Sequence, residues 1–110
     1  MSQDEVQELV ARLLPLGPVE ARRMFGGWGI FHEDLMFALV ANGTLYLKVD
    51  AETEARFADA GSEPFTYQRP GKQIKMSYWR LPADDDLLDW AALGLAAAQR
   101  AKKPKKKRRR

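Results

Sequence analysis

The dipeptide Asn42-Gly43 lies between two apolar segments, and it constrains the fold more than any other feature of the sequence. Residues 35–41 (LMFALVA) are apolar throughout, as expected for a central strand that is covered on both faces. Residues 44–49 (TLYLKV) place aliphatic side chains at every second position, as a strand does. Asn and Gly both tolerate the positive φ angles of a two-residue type I′ turn, so the sequence predicts an antiparallel hairpin.

The other periodic segments predict helices at both ends and in the middle of the chain. Ser2 and Glu5 have the spacing of a capping box, and apolar residues recur at helical spacing over residues 6–14. Alternation, turn residues and helix caps predict the remaining elements: strands at 22–26, 28–33, 64–69 and 73–81, and helices at 51–60 and 87–100. Tight hairpin connections favour an antiparallel sheet. The predicted fold class is α+β, a single domain with a sheet of five to six strands.

Charge is distributed unevenly along the chain. Residues 102–110 (KKPKKKRRR) contain eight of the 18 Lys and Arg and none of the 15 Asp and Glu. The other ten basic and fifteen acidic residues give residues 1–101 a net charge of −5. A run of like charges has no apolar face to bury, so we expect a domain over 1–100 and a disordered basic tail over 101–110. The residues expected to contact nucleic acid are Lys102, Lys103, Lys105, Lys106, Lys107, Arg108, Arg109 and Arg110.

Two features of the sequence bear on the compartment. Cysteine is absent, which excludes disulfides, thiolate nucleophiles and cysteine-ligated metals. The N-terminus is acidic, unlike that of a signal peptide, and no apolar stretch approaches the roughly 18 residues of a membrane span. We therefore expect a cytoplasmic protein without membrane attachment.

Residues suited to catalysis are sparse. His32 is the single histidine, and it is predicted to lie in a solvated turn beside Glu33 and Asp34, without a partner for nucleophilic or metal chemistry. The acidic run at residues 84–86 is expected to cap the last helix rather than to bind a cation. The sequence thus predicts no catalytic residue, metal site or cofactor, and we expect the protein not to be an enzyme.

Three glycines interrupt a segment that otherwise has the composition of strands. Gly26, Gly27 and Gly29 stand in RRMFGGWGIF, residues 22–31, where each glycine adds an entropy cost and no packing. Either the backbone bends here, with a bulge or turn at Gly27, or another group approaches it closely. The alternative is a backbone nest for an anion, flanked by Arg22 and Arg23.

One aromatic residue stands among polar neighbours. Trp79 alternates with Lys75 and Ser77, so we expect it on the less buried face of the sheet, where Tyr46 and Lys48 join it. An exposed aromatic surrounded by polar groups suits a partner protein, with base stacking as the alternative. Tyr46, Lys48, Lys75 and Trp79 are the predicted partner surface.

Several segments of the chain resemble the N-terminal domain of the TfoX/Sxy family, which is associated with the regulation of natural competence. The segments are RRMFGGWGIF, LMFALV, LYLKVD and PFTYQRPGKQIKMSYWRLP, and the resemblance covers roughly residues 5–98. It implies an α+β fold with an antiparallel sheet. Fuller members of the family carry a second, helical domain at the position where this sequence has KKPKKKRRR.

Three classes of function are compatible with these observations. The first is a regulatory module, as the resemblance implies, that binds a protein of the transcription apparatus while its tail contacts DNA without reading bases. The second is a nucleic-acid-binding protein in which the tail is the main functional element. The third is an enzyme or small-ligand protein whose site the sequence does not reveal. A homodimer is compatible with the first two.

Overall fold

Six strands form one antiparallel sheet in the computed structural model, which describes residues 1–24, 26–69, 71–83 and 86–102 and, within them, all side chains except those of 67–69 and 72–75. The elements are α1 (Gln3–Leu13), a 3-10 turn (Leu14–Leu16), β1 (Val19–Met24), β2 (Gly27–His32), β3 (Leu35–Ala41), β4 (Thr44–Lys48), α2 (Glu54–Asp59), β5 (Pro64–Arg69), β6 (Lys72–Arg80) and α3 (Leu87–Lys102). The strand order is β1-β2-β3-β4-β6-β5. The predicted α+β class is confirmed.

The N-terminal capping box is formed as predicted. The Ser2 hydroxyl accepts a hydrogen bond from the Glu5 backbone N–H at 3.2 Å, and the Ser2 N–H donates to the Glu5 carboxylate at 2.9 Å. These two bonds satisfy backbone donors that a helix start leaves free. Helix α1 therefore begins where the sequence placed it, and it buries Val6, Leu9 and Leu13.

The helices pack on one face of the sheet and form the core there. Side chains from β2, β3 and β4 contribute Ile30, Ala38, Val40 and Leu47 to the same buried cluster as the apolar faces of α1, α2 and α3. Helix α3 approaches the sheet closely at Gly94, where a Cβ would lie 3.1 Å from the Phe37 carbonyl oxygen.

The opposite face of the sheet is open. Antiparallel register aligns Gly29, Leu39, Tyr46 and Arg80 in one row across four strands of this face. Leu39 and Tyr46 are only half-buried, whereas the core residues beside them are fully buried. The expectation that β3 is covered on both faces is therefore wrong, because the helices of the described chain all lie on the other side.

Helix α3 extends further than the sequence indicated. It continues through Lys102, so the first basic residue that we assigned to the tail is helical. Residues 103–110 lie outside the described part of the chain, and the rest of the tail assignment stays a prediction.

The two central hairpins have the same turn geometry with different residues. Asn42 and Gly43 have φ angles of 52° and 76°, which confirms the predicted type I′ turn between β3 and β4. Glu33 and Asp34, between β2 and β3, have φ angles of 51° and 69°. The turn thus consists of residues 33 and 34. His32 is the half-buried last residue of β2, so its predicted place in a solvated turn is wrong. Its ring lies against Gly17, where a Cβ would be 2.6 Å from Nε2.

Glu33→Asn is expected to stabilise the protein by about 0.5–1 kcal/mol, because Asn adopts the left-handed conformation at lower cost than Glu. Glu33 is exposed, so little packing is lost. Urea denaturation of both proteins measures the difference. A midpoint that does not rise would contradict the turn geometry.

Candidate protein-binding groove

The three glycines of the RRMFGGWGIF segment have different structural roles. Gly26 has a φ of 78° and lies in the connection between β1 and β2, with open space where a side chain would be. Gly27 pairs with Met24 inside the hairpin, and a Cβ there would collide with the Val40 carbonyl oxygen. The prediction of a bulge or turn at Gly27 is therefore wrong, and close approach of backbone is the reason for this glycine.

Gly29 allows side chains to cover bare backbone on the open face. A Cβ at this position would lie 2.6 Å from Met24 Sδ, 2.8 Å from Phe31 Cε1 and 2.9 Å from Met36 Sδ. Two thioether sulfurs and an aromatic ring thus converge over one glycine of β2. Gly27 and Gly29 are thus explained by the close approach of other groups to the backbone, whereas Gly26 is explained by a bend of the backbone.

A cavity of about 540 Å³ lies on the open face of the sheet. We call it the methionine groove, and it is lined by Met24, Gly26, Gly27, Trp28, Met36, Leu39, Val40, Ala41, Asn42, Phe65 and Met76. The three methionines, Leu39 and Phe65 are half-buried, so their apolar surfaces remain accessible from the groove. Among the described residues of this lining, only Asn42 and Trp28 have side chains that carry N–H donors.

Aromatic and charged side chains of the same face surround the groove. The rings of Tyr46 and Phe65 contact each other in a tilted arrangement with a centroid separation of 4.9 Å. Lys48 Nζ lies 5.2 Å from the Tyr78 ring centroid and donates to the Ser77 hydroxyl at 2.9 Å. Tyr46 and Lys48 thus lie on the open face of the sheet, and their role in binding a partner stays a prediction.

Trp79 does not belong to this surface. It is 9% exposed and pairs with Leu47 on the core face, so its predicted exposure is wrong. The polar residues at positions 75 and 77 do not indicate the environment of Trp79, because they precede the part of β6 that is paired in register with β4. The side chain of Lys75 lies outside the described ones.

The two arginines that were considered for an anion nest have partners within the chain. Arg22 Nη2 lies 2.6 Å from both a Glu20 and an Asp34 carboxylate oxygen, and its guanidinium lies 4.2 Å from the Phe31 ring centroid. Arg23 lies 5.1 Å from the Trp28 ring centroid. The local geometry therefore gives no support to an anion site at the glycines.

A bidentate ion pair fastens the last helix to the loop after β4. Arg100 Nε donates to Asp50 Oδ2 at 2.7 Å and Nη2 donates to Oδ1 at 2.9 Å. Asp50 Oδ1 also accepts from the Glu52 backbone N–H at 3.1 Å. The hydrogen bond from Arg100 is the main reason why the pKa of Asp50 is lowered.

Asp50→Asn is expected to reduce the loss of stability in acid. A carboxyl whose pKa is lowered by folding contributes stability above its unfolded pKa, near 3.8, and that contribution disappears as the pH falls through the folded pKa. Below that range the variant and the parent should converge in stability, whereas at neutral pH the variant should be less stable. Urea midpoints from pH 2 to 7 test this, and parallel curves would contradict it.

Metal and membrane sites can be assessed over the described ranges. Within residues 1–24, 26–69, 71–83 and 86–102, no group of three or more His, Asp and Glu residues is placed to hold a metal ion. None of the helices in those ranges is both long and apolar enough to cross a membrane. Asp84 and Asp85 lie outside the described residues, so their capping role stays a prediction.

Comparison with known families identifies the domain. The model of the TfoX N-terminal domain matches residues 11–98, which include all six strands of the sheet, the end of α1, all of α2 and most of α3. The chain belongs to this family. Both the methionine groove and the predicted partner surface lie within the matched TfoX N-terminal domain.

Three curated relatives carry similar sequences. The DNA transformation protein TfoX1 of Aliivibrio fischeri is 41% identical over 64 residues, which are 58% of this chain and 31% of the relative. The DNA transformation protein TfoX of Haemophilus influenzae is 33% identical over 88 residues, 77% of this chain and 41% of the relative. Protein Sxy of Escherichia coli is 29% identical over 69 residues, 63% of this chain and 33% of the relative. This chain covers less than half the length of each relative.

Proposed function

We propose that the protein is a non-enzymatic, cytoplasmic regulatory module that binds a protein of the transcription apparatus through the methionine groove. Its basic tail contacts DNA without reading sequence. The observation that carries the proposal is the apolar groove on a sheet face that the helices leave open. Two of the relatives are named as DNA transformation proteins, which supports a competence-related regulatory role.

The chemistry of the groove favours an apolar protein segment over a small polar ligand. Small-molecule sites combine an apolar lining with several convergent polar groups, whereas among the described lining residues only the side chains of Asn42 and Trp28 carry N–H donors. Methionine side chains are unbranched and polarizable, so they adapt to varied apolar partners. Met24, Met36 and Met76 therefore provide an adaptable surface for a side-chain cluster of a partner helix or strand.

The tail supplies the second part of the proposal. Residues 103–110 carry seven Lys and Arg and no acidic residue. Such a segment neutralises phosphates and holds a protein near DNA, but it has no means of distinguishing base pairs. The partner bound in the groove then determines where on the genome the module acts.

Site-specific photocrosslinking tests the groove directly. p-Benzoylphenylalanine is placed at Phe65 in the groove, or at Leu88 of α3, which is 39% exposed and serves as the control. In cells of the source bacterium we expect an adduct from position 65 that contains a component of the transcription apparatus. Leu39→Gln should abolish that adduct.

Other outcomes of the crosslinking would contradict the proposal. An adduct with a second copy of the chain would make the groove a dimer interface. Equal adducts from positions 65 and 88 would show that partner proteins do not bind preferentially at the groove. The absence of any adduct at position 65 would leave the tail as the main functional element.

A further inference from the structure

The hairpin of β5 and β6 extends beyond the main sheet. Strand β6 has nine residues, but only Tyr78, Trp79 and Arg80 are paired in register with β4. Residues 66–69 pair with residues 72–75 and, in the described chain, with no other strand. Four residue pairs at about 3.3 Å per residue give a two-stranded ribbon that projects roughly 13 Å before its turn.

The ribbon is basic in an otherwise acidic domain. Residues 66–75 contain Arg69, Lys72 and Lys75 and no Asp or Glu. The rest of residues 1–101 contains seven basic and fifteen acidic residues, a net charge of −8. A polyanion is therefore repelled by most of the domain and attracted by the ribbon.

Register divides the ribbon into two faces of different composition. Thr66 pairs with Lys75, and Gln68 pairs with Gln73, so these four polar residues share one face. The other face carries the pairs of Tyr67 with Ile74 and of Arg69 with Lys72. Gln is suited to bidentate hydrogen bonding with adenine, and Lys with guanine, in the major groove of DNA.

We propose that the β5–β6 ribbon enters the major groove of B-form DNA, with the face of Thr66, Gln68, Gln73 and Lys75 toward the base edges. The major groove is about 12 Å wide and 8.5 Å deep, and it accommodates a two-stranded β-ribbon. Arg69 and Lys72, next to the turn, contact the phosphates. This second DNA contact adds to the one proposed for the tail and is independent of the partner in the methionine groove.

The salt dependence of DNA binding by the full chain separates the ribbon from the tail. Seven tail contacts at about −0.9 each give a log-log slope near −6, and the two phosphate contacts of Arg69 and Lys72 steepen it toward about −8. Lys72→Gln/Lys75→Gln should therefore make the slope shallower by about 1, because the phosphate contact of Lys72 is lost, and weaken binding at least about tenfold at 100 mM salt. Arg23→Gln/Arg56→Gln removes the same charge from β1 and α2 and should leave the slope unchanged.

An RNA duplex of the same sequence distinguishes groove entry from charge alone. The major groove of A-form RNA is too narrow for side chains to read, whereas the tail contacts either backbone. Fluorescence anisotropy on duplexes of about 20 base pairs should show the lysine substitutions weakening DNA binding and leaving RNA binding within about twofold. The uncharged pair Gln68→Ala/Gln73→Ala should weaken DNA binding without changing its slope, since it removes no charge.

The same measurements contain the results that overturn the proposal. Equal losses on DNA and RNA, equal losses from the Arg23 and Arg56 control, or unchanged DNA binding in the lysine variant would each exclude groove entry. If the lysine variant binds polyglutamate more weakly than the wild type does but binds DNA equally well, the ribbon binds an acidic protein instead. Circular dichroism melting confirms that each variant is folded.

Discussion

Replacing Gly27 by valine is expected to destabilise the protein by about 3 kcal/mol, because the new Cβ would collide with backbone rather than with a mobile side chain. The colliding atom is the Val40 carbonyl oxygen of the neighbouring strand β3. Backbone in the middle of a sheet moves little without breaking ladder hydrogen bonds, so overpacking at this position has a large cost. Urea denaturation measures the change, and Gly27→Ala should show most of it, since the Cβ itself is in conflict.

Gly26→Asn is the matched control for this prediction. Gly26 has a positive φ and no atom within contact distance of its missing side chain, and Asn tolerates that conformation. The control should therefore cost about 1 kcal/mol or less. If valine at position 27 leaves the denaturation midpoint unchanged, close approach is not the reason for the glycine.

Deleting residues 103–110 is expected to weaken binding to random duplex DNA at least about a hundredfold at 100 mM salt, since seven cationic contacts are lost. Of the proposed cationic contacts with DNA, only those of the three basic ribbon residues then remain, on a domain that is otherwise acidic. The log-log salt slope should therefore become no steeper than about −3. Fluorescence anisotropy across a salt series, on several unrelated duplexes, provides both quantities.

The same deletion should change thermal stability little. The six strands and the apolar faces of the three helices in the described part of the chain lie before residue 103. Circular dichroism melting of both proteins is the control, because it shows whether a loss of DNA binding comes from a loss of folding. Loss of cooperative unfolding would show that the tail packs on the domain, and DNA binding that survives the deletion at full strength would refute the tether.

Local signals in the sequence predicted the elements well. The capping box at Ser2 and the Asn42-Gly43 turn depend on neighbouring residues, and both are formed as expected. The turn at Glu33 and Asp34 was not recognised as a type I′ turn because Glu is uncommon at positive φ and neither position is a glycine. Strand register with β3 imposes that conformation on them.

The site was predicted less well, because it depends on contacts between distant strands. Alternation along β6 placed Trp79 beside Lys75 and Ser77, but only pairing with β4 determines that Trp79 faces the core. Met36 and Leu39 were taken as doubly covered because an apolar strand does not reveal which face lacks a helix. The glycines at positions 26, 27 and 29 were the best available signal in the sequence for the methionine groove.

Genetic complementation tests our proposal that the protein regulates transcription through the methionine groove. Transcripts are measured in a deletion strain of the source organism that expresses the wild type, Leu39→Gln in the groove, or Leu88→Gln on α3 as the control. We expect the wild type and Leu88→Gln to restore the affected transcripts, and we expect Leu39→Gln to fold with an unchanged melting curve and not to restore them. Full restoration by Leu39→Gln, or a deletion that alters no transcript, would contradict it.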